Sequence, residues 1–273
     1  MSPGTSPDAP PAAAAIDAAF RRAADAGRAA FIPFITAGYP TRAATSQMLD
    51  ALVAAGADII ELGIPFSDPL ADGPTIQAAS FAALKEGATP AWVLETLSDF
   101  RTRHDTPVVL FSYLNPVLGY GLERFLGDAV TAGANGMLLT DLPAGADPGV
   151  EDAVRASGIA LVRLAAPTTP PARLAQIADG ASGFLYYVSR TGVTGAQATL
   201  SQTLEEELDT VRRSVDLPVG VGFGISTPEQ ARAVAAVADG VVVGSALVDR
   251  LGQDGVDGAA RLAASLAEAL HRA

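Results

Sequence analysis

The sequence has no cysteine, a single lysine and only two histidines. Without cysteine there is no disulfide, no thiolate nucleophile and no sulfur-ligated metal. The lone lysine, Lys85, falls in a helical stretch rather than at the end of a strand-like run, so no amine is placed for Schiff-base chemistry. His104 near a helix end and His271 in the C-terminal tail make neither a metal site nor a ready general base. These counts leave open only a metal held by carboxylates alone, such as Mg²⁺. Positive charge is also scarce: 18 Lys and Arg face 30 Asp and Glu, for a net charge of −12. That excludes a broad nucleic-acid or anionic-membrane surface. It does not exclude a small anionic ligand, because a local pocket can oppose the global field. No apolar run approaches the ~18 residues that span a bilayer. The N-terminus, MSPGTSPDAPPAAAA, lacks the basic segment and Leu-rich core of a signal peptide, so a cytoplasmic protein is expected.

Apolar residues, at 49%, are numerous enough for a large core. Residues 1–11 are rich in Pro, Ser and Ala and are expected to be a disordered extension. Residues 12–273 are expected to form one domain. Ala12–Ala26 reads as an amphipathic helix, with Ile16, Phe20 and Ala24 four apart. A unit then recurs: a short apolar run, a Gly/Pro/Asp turn and a helical pattern. The runs cover residues 31–38, 57–63, 107–113, 134–141, 159–166, 183–189, 218–224 and 239–245. Nearly continuous apolar character marks parallel strands covered on both faces. Helical stretches between them include Ala43–Ala55, Ala91–Arg103, Leu122–Ala132, Leu200–Ser214 and Pro228–Ala238, several ending in a Gly stop signal. Eight such repeats predict a (β/α)8 barrel, with a doubly wound open sheet as the second choice. Chemistry then belongs at the C-terminal ends of the strands.

Three Gly-rich segments stand at the ends of runs six, seven and eight: SRTGVTG, GFGIST and VGSAL. Gly lets backbone N–H groups approach an oxyanion, and a helix N-terminus adds positive potential. Ala246–Leu251 fits the short extra helix of a barrel phosphate site. Any one segment is equally well a tight turn; the three together favour a phosphate. Opposite them, ELGIPFSDPLADGP places Glu61, Asp68 and Asp72 where run two gives way to a stiff loop. Glu61, rimmed by Ile60, Ile64 and Phe66, is expected to end strand two with a raised pKa suited to proton transfer. Alone, it is better read as a buried structural carboxylate. Asp72 and Asp68 have bland readings too, as a helix-start and a turn residue. Two carboxylates facing a phosphate site shift the balance to acid/base catalysis on a phosphorylated substrate that supplies its own electron sink.

ELGIPFSDPLADGPTIQ (61–77), YLNP (113–116), LAAPTTP (164–170), SRTGVTG, GFGIST and VGSA occur in order, and together they strongly resemble the α subunit of tryptophan synthase. The resemblance runs from about Ala13 to the C-terminus. It implies a (β/α)8 barrel that cleaves indole-3-glycerol phosphate to indole and glyceraldehyde 3-phosphate by a retro-aldol reaction. It also implies residue roles. Glu61 shuttles the protons, Asp72 holds the indole N–H and Tyr186 packs near the substrate. Gly195, Gly224, Gly244 and Ser245 bind phosphate. Phe34, Ile76, Thr194 and Phe223 line the pocket or its lid. Pro65, Asp68 and Asn115 match positions facing a β subunit in an αββα tetramer. No cofactor or metal belongs to this chain; pyridoxal phosphate belongs to the β partner.

The chain departs from the expected pattern in four places. Thr140 stands before Asp141 where Ala or Pro is expected. The lid at 189–202 lacks a basic residue shortly after its final Gly. Arg163 sits within run five, and the N-terminal extension is unusual. A standalone indole-3-glycerol phosphate lyase and an inactive allosteric barrel are the competing readings. Pathway barrels that rely on Cys or a strand-end Lys lack their residues here.

Overall fold

The computed structural model describes residues 11–189, 197–222 and 224–270. The expected disordered extension lies outside them except for Pro11, which opens the first helix, α1 (Pro11–Asp25). Eight parallel strands follow: β1 (Ala30–Thr36), β2 (Ile60–Gly63), β3 (Val108–Ser112), β4 (Gly136–Leu139), β5 (Ala160–Ala165), β6 (Leu185–Val188), β7 (Val219–Gly222) and β8 (Gly240–Val243). They pair in chain order and close, Ala30 to Pro33 of β1 aligning with Gly240 to Val243 of β8. The eight runs are thus eight strands of one closed barrel, and the open-sheet alternative falls.

Helices α2 (Arg42–Ala54), α3 (Pro74–Lys85), α4 (Pro90–Arg101), α5 (Leu114–Tyr120), α6 (Leu122–Thr131), α7 (Pro148–Ser157), α8 (Pro171–Ala178), α9 (Gln197–Arg212), α10 (Pro228–Ala235) and α11 (Ser245–Glu268) surround it. The stop signals act as read: Gly56, Gly133 and Gly158 follow helix ends at φ 95°, 85° and 82°, a region that glycine enters without strain. The short helix expected after strand eight is the first part of α11, which Gly255 interrupts with φ 67° and ψ −169°.

Strand side chains alternate, and the alternation divides the core in two. Phe31, Ile60, Leu62, Leu110, Met137, Leu161, Leu185 and Val241 face the helices. Ala30, Ile32, Val109, Leu138, Val162, Phe184 and Val242 fill the barrel. The barrel's N-terminal end is closed by α1, whose Ala13, Ile16, Ala19, Phe20 and Ala23 join that inner cluster. Phe20 meets Phe184 with ring centroids 5.6 Å apart. The buried stripe ends on Ala23, not Ala24, because 3.6 residues per turn drifts from a strict spacing of four. The C-terminal end is therefore the only open end of this interior among the described residues.

Candidate active site

Glu61 is the second of four residues in β2, so it lies inside the strand rather than at its end. The register sets it between Phe34 of β1 and Val109 of β3. Period-2 alternation turns Ile60 and Leu62 toward the helices and Glu61 into the barrel. Ile60 therefore contributes no rim to the carboxyl, contrary to the sequence reading. Glu61 is 0% exposed, and neither carboxyl oxygen has a hydrogen-bond partner among the described residues. Burial alone pushes its pKa up to about 8, so the group is mostly neutral at pH 7. A buried carboxyl without partners is costly, and such groups concentrate at sites of proton transfer.

Tyr186, the second residue of β6, packs against the inner cluster. Burial and then the charges of Glu61 and Asp72 hold its phenol pKa well above the ordinary value, so it stays a neutral hydrogen-bond donor. The chain makes room for it with glycine: a Cβ on Gly222 of β7 would lie 2.5 Å from the Tyr186 hydroxyl. Gly63 serves Phe34 likewise, at 2.6 Å from its ring.

Asp72 lies on the loop between β2 and α3, half-buried. Burial raises its pKa, partly opposed by a hydrogen bond from Tyr113. The Tyr113 hydroxyl donates to Asp72 Oδ2 at 3.1 Å and accepts from the Ala71 N–H at 2.9 Å. From the other side, Gln77 Nε2 donates to the Asp72 carbonyl at 2.9 Å. The loop is thus held between the end of β3 and the start of α3. A cleft of about 10 Å³, close to the room one water needs, runs along Phe34, Thr36, Gly63, Asp72, Phe111 and Tyr113. Phe34 and Phe111 meet edge to face at 5.1 Å, and Ile76 of α3 joins Phe34 in a small cluster with Val248 of α11.

Tyr113 and Thr36 received no role in the sequence reading. Tyr113 stood only as the first residue of the YLNP motif, and its bond to Asp72 spans 41 residues that no local pattern reports. Thr36 is 2% exposed, and its hydroxyl has no partner among the described residues. Its signal was a hydroxyl residue at the C-terminal end of an otherwise apolar strand.

Gly224 follows β7 at φ 73°, and Gly244 caps the N-terminus of α11, immediately before exposed Ser245. No side chain caps that helix, and its first-turn N–H groups carry the positive end of the helix dipole. A Cβ on Gly244 would approach the Phe34 ring at 3.4 Å, which sets this helix N-terminus beside the cleft. Gly195, Thr194 and Phe223 lie outside the described residues.

Pro65 and Asn115 border a second hollow of about 330 Å³, with Phe66, Ser67, Leu84, Pro90, Pro116 and Tyr120. Asp68 is exposed on the adjoining loop, where its Oδ2 accepts from Ser67 Oγ at 2.6 Å. Arg163 is buried on the helix-facing side of β5, away from the cleft, with Nη2 2.7 Å from Glu151 Oε2 of α7. No helix among the described residues is long and apolar enough to cross a membrane. No group of three or more His, Asp or Glu among them is set to hold a metal.

The sequence profile of the tryptophan synthase alpha chain family matches residues 20–272. A tryptophan synthase alpha chain from Novosphingobium aromaticivorans is 49% identical over 251 residues, covering 90% of this chain and 94% of that one. The crystal structure of tryptophan synthase subunit alpha from Legionella pneumophila superposes with a TM-score of 0.87 at 37% identity, over 94% of this chain and 98% of that one. Tryptophan synthase from Mycobacterium tuberculosis gives a TM-score of 0.87 at 36% identity, over 94% and 98%. Barrel, ordered motifs and relatives agree: the chain belongs to the tryptophan synthase alpha chain family, a family of lyases.

Proposed function

We propose that this chain cleaves indole-3-glycerol phosphate to indole and glyceraldehyde 3-phosphate, with Glu61 and Asp72 as its catalytic carboxylates. The observation that carries the reading is the unpartnered Glu61 carboxyl inside the barrel, neutral at pH 7 because it is buried. A neutral carboxyl is an acid first. It gives its proton to indole C3, and positive charge spreads to the ring nitrogen. Asp72, held by Tyr113, accepts the N–H hydrogen bond and stabilises that cation. The Glu61 carboxylate then takes the C3′ hydroxyl proton as the C3–C3′ bond breaks. That bond's electrons restore the indole ring, the aldehyde forms, and Glu61 ends protonated as it began. Tyr186 supports the substrate beside Glu61, and Phe34, Ile76, Thr194 and Phe223 line its pocket. Gly195, Gly224, Gly244 and Ser245 bind the phosphate through backbone N–H groups and a hydroxyl.

The partner is a β subunit, and Pro65, Asp68 and Asn115 face it. Exposed Leu70 and Leu118 beside the 330 Å³ hollow favour an apolar docking surface there. The assembly is read as an αββα tetramer in which pyridoxal phosphate belongs to the β subunit and this chain carries no cofactor. Residues 12–273 act as one unit, a reading supported by β1–β8 closure and by the Ala29 N–H, which donates to the Leu270 carbonyl at 3.2 Å.

The deciding assay is indole release from indole-3-glycerol phosphate by the purified chain, with and without a β subunit. Slow release that rises steeply on adding the partner is the expected result. Fast release without a rise identifies a standalone lyase, and no release in either case refutes the catalytic assignment.

A further inference from the structure

Helix α5 starts without a cap of its own. Its N-cap residue is Tyr113, whose side chain makes no capping hydrogen bond and is turned instead toward the Asp72 loop. The first N–H of the helix, on Leu114, nonetheless has a strong acceptor: Asp141 Oδ1, 2.7 Å away and 27 residues on in the chain. Asp141 stands two residues past the end of β4, so one strand of the barrel supplies the cap for the helix that follows its neighbour. The side chain is exposed, but the backbone on either side of it is anchored. Before it, the Thr140 N–H donates to the Ser112 carbonyl at 3.0 Å and extends the β3–β4 ladder by one residue. After it, the Leu142 carbonyl accepts from buried Arg163 Nη1 at 3.0 Å. Asp141 is thus a fixed post. The residue next to its partner Leu114 is Tyr113, whose hydroxyl donates to Asp72 Oδ2 at 3.1 Å and accepts the Ala71 N–H at 2.9 Å.

We infer that Asp141 is a positioning residue for the cleavage: by capping α5 from the end of β4 it fixes the backbone of Tyr113, whose phenol holds the Asp72 carboxylate. The inference rests on the reading of Asp72 as catalytic. Asp141 touches no reacting atom; it acts through the start of α5, then Tyr113, then Asp72. Without it the Leu114 N–H loses its acceptor, the first turn of α5 frays, and the phenol drifts with it.

Indole release with a β subunit present, read beside a thermal melt of the chain alone, tests this. Asp141→Ala removes the acceptor. Its kcat should fall about three- to thirtyfold, from one lost cap and the misplacement that follows, with KM changed less than about twofold. Asp141→Asn keeps an oxygen for the Leu114 N–H and should recover most of the lost turnover. A cap that served the fold alone would lower the melting temperature and spare kcat. The decisive comparison is therefore made in a Tyr113→Phe background. There Asp141→Ala should still lower the melting temperature, by about 2–4 °C, yet change kcat by less than about twofold, because the hydroxyl it positions is gone. If Asp141→Ala does not fold, Asp141→Glu, one methylene too long for this bond, takes its place. Wild-type turnover in Asp141→Ala, an equal loss in Asp141→Asn, or an undiminished loss of turnover in the Tyr113→Phe background each overturns the inference. Those results leave the catalytic reading intact. A parent chain that releases no indole overturns both.

Discussion

Glu61 shows how a single buried group ties stability to chemistry. Its pKa stands near 8 in the fold, against an ordinary value of 4.5. Between those values the folded chain holds a proton that the unfolded chain has released. With respect to this group, stability therefore falls as pH rises from about 4.5 and goes on falling until the folded carboxyl ionises near 8. Glu61→Gln cannot ionise and removes that decline. Urea unfolding should find the variant close to its parent at pH 4.5 and more stable at pH 9, by an amount on the order of a few kcal/mol. Equal differences at both pH values would show that the carboxyl is not desolvated. Indole release by the same variant should drop by about 10²–10⁴-fold, the usual share of one acid/base group. In the parent, kcat/KM should decline as pH rises through about 8, because the cycle starts from the neutral acid. Glu61 and Asp72 were legible in the sequence because carboxylates between an apolar strand and a proline-rich loop are rare enough to ask for a reason. Tyr113 and Thr36 were not, because hydroxyls at strand ends are common and their partners lie in other parts of the chain.

Among the elements, β5 and α7 are joined by a buried ion pair. Arg163 and Glu151 are both buried, and Arg163 Nη1 also donates to the Leu142 carbonyl at 3.0 Å. Glu151 Oε1 accepts the Gly145 N–H at 2.7 Å, so the pair pins the loop between β4 and α7 as well. Removing one partner strands the other charge. Arg163→Met should lower stability by about 3–5 kcal/mol, and adding Glu151→Gln should restore most of it. Urea midpoints for the two variants decide the matter; equal losses would mean that packing, not charge, is at stake. The sequence showed Arg163 only as a charge within run five, and its partner on α7 has no sequence signal. The strands were legible because each is a continuous apolar run bounded by Gly, Pro or Asp. Their ends were less so: β2 begins at Ile60, three residues inside the run that contains it. Ladder pairing with neighbours, rather than apolarity, sets where a strand starts. The interruption of α11 at Gly255 was missed because a lone glycine in a helical pattern can equally be helical.

Over the whole molecule, charge and apolar surface are distributed unevenly. The net charge is −12, yet Leu70 is 89% exposed on the loop that carries Asp72, and Leu118 on nearby α5 is 48% exposed. A leucine so open contributes little to the fold, so Leu70→Asp should leave the melting behaviour of the isolated chain nearly unchanged, within about 0.5 kcal/mol. It should weaken β-subunit binding at least about tenfold, as loss of an apolar anchor does. Calorimetric titration measures this directly, and unchanged affinity would place the docking surface elsewhere.

The plug that α1 makes at the far end has a consequence for traffic. Ile16 and Phe20 seal the barrel's floor, so the barrel is a blind well and not a pipe. A product formed inside the barrel leaves over the rim by which its substrate came in. That rim is bordered by loop 64–73 and α5, where the exposed leucines stand. A second protein seated there covers the exit by the act of docking. Direct delivery of a product then needs no hole bored through this chain, only a lid with a hole of its own.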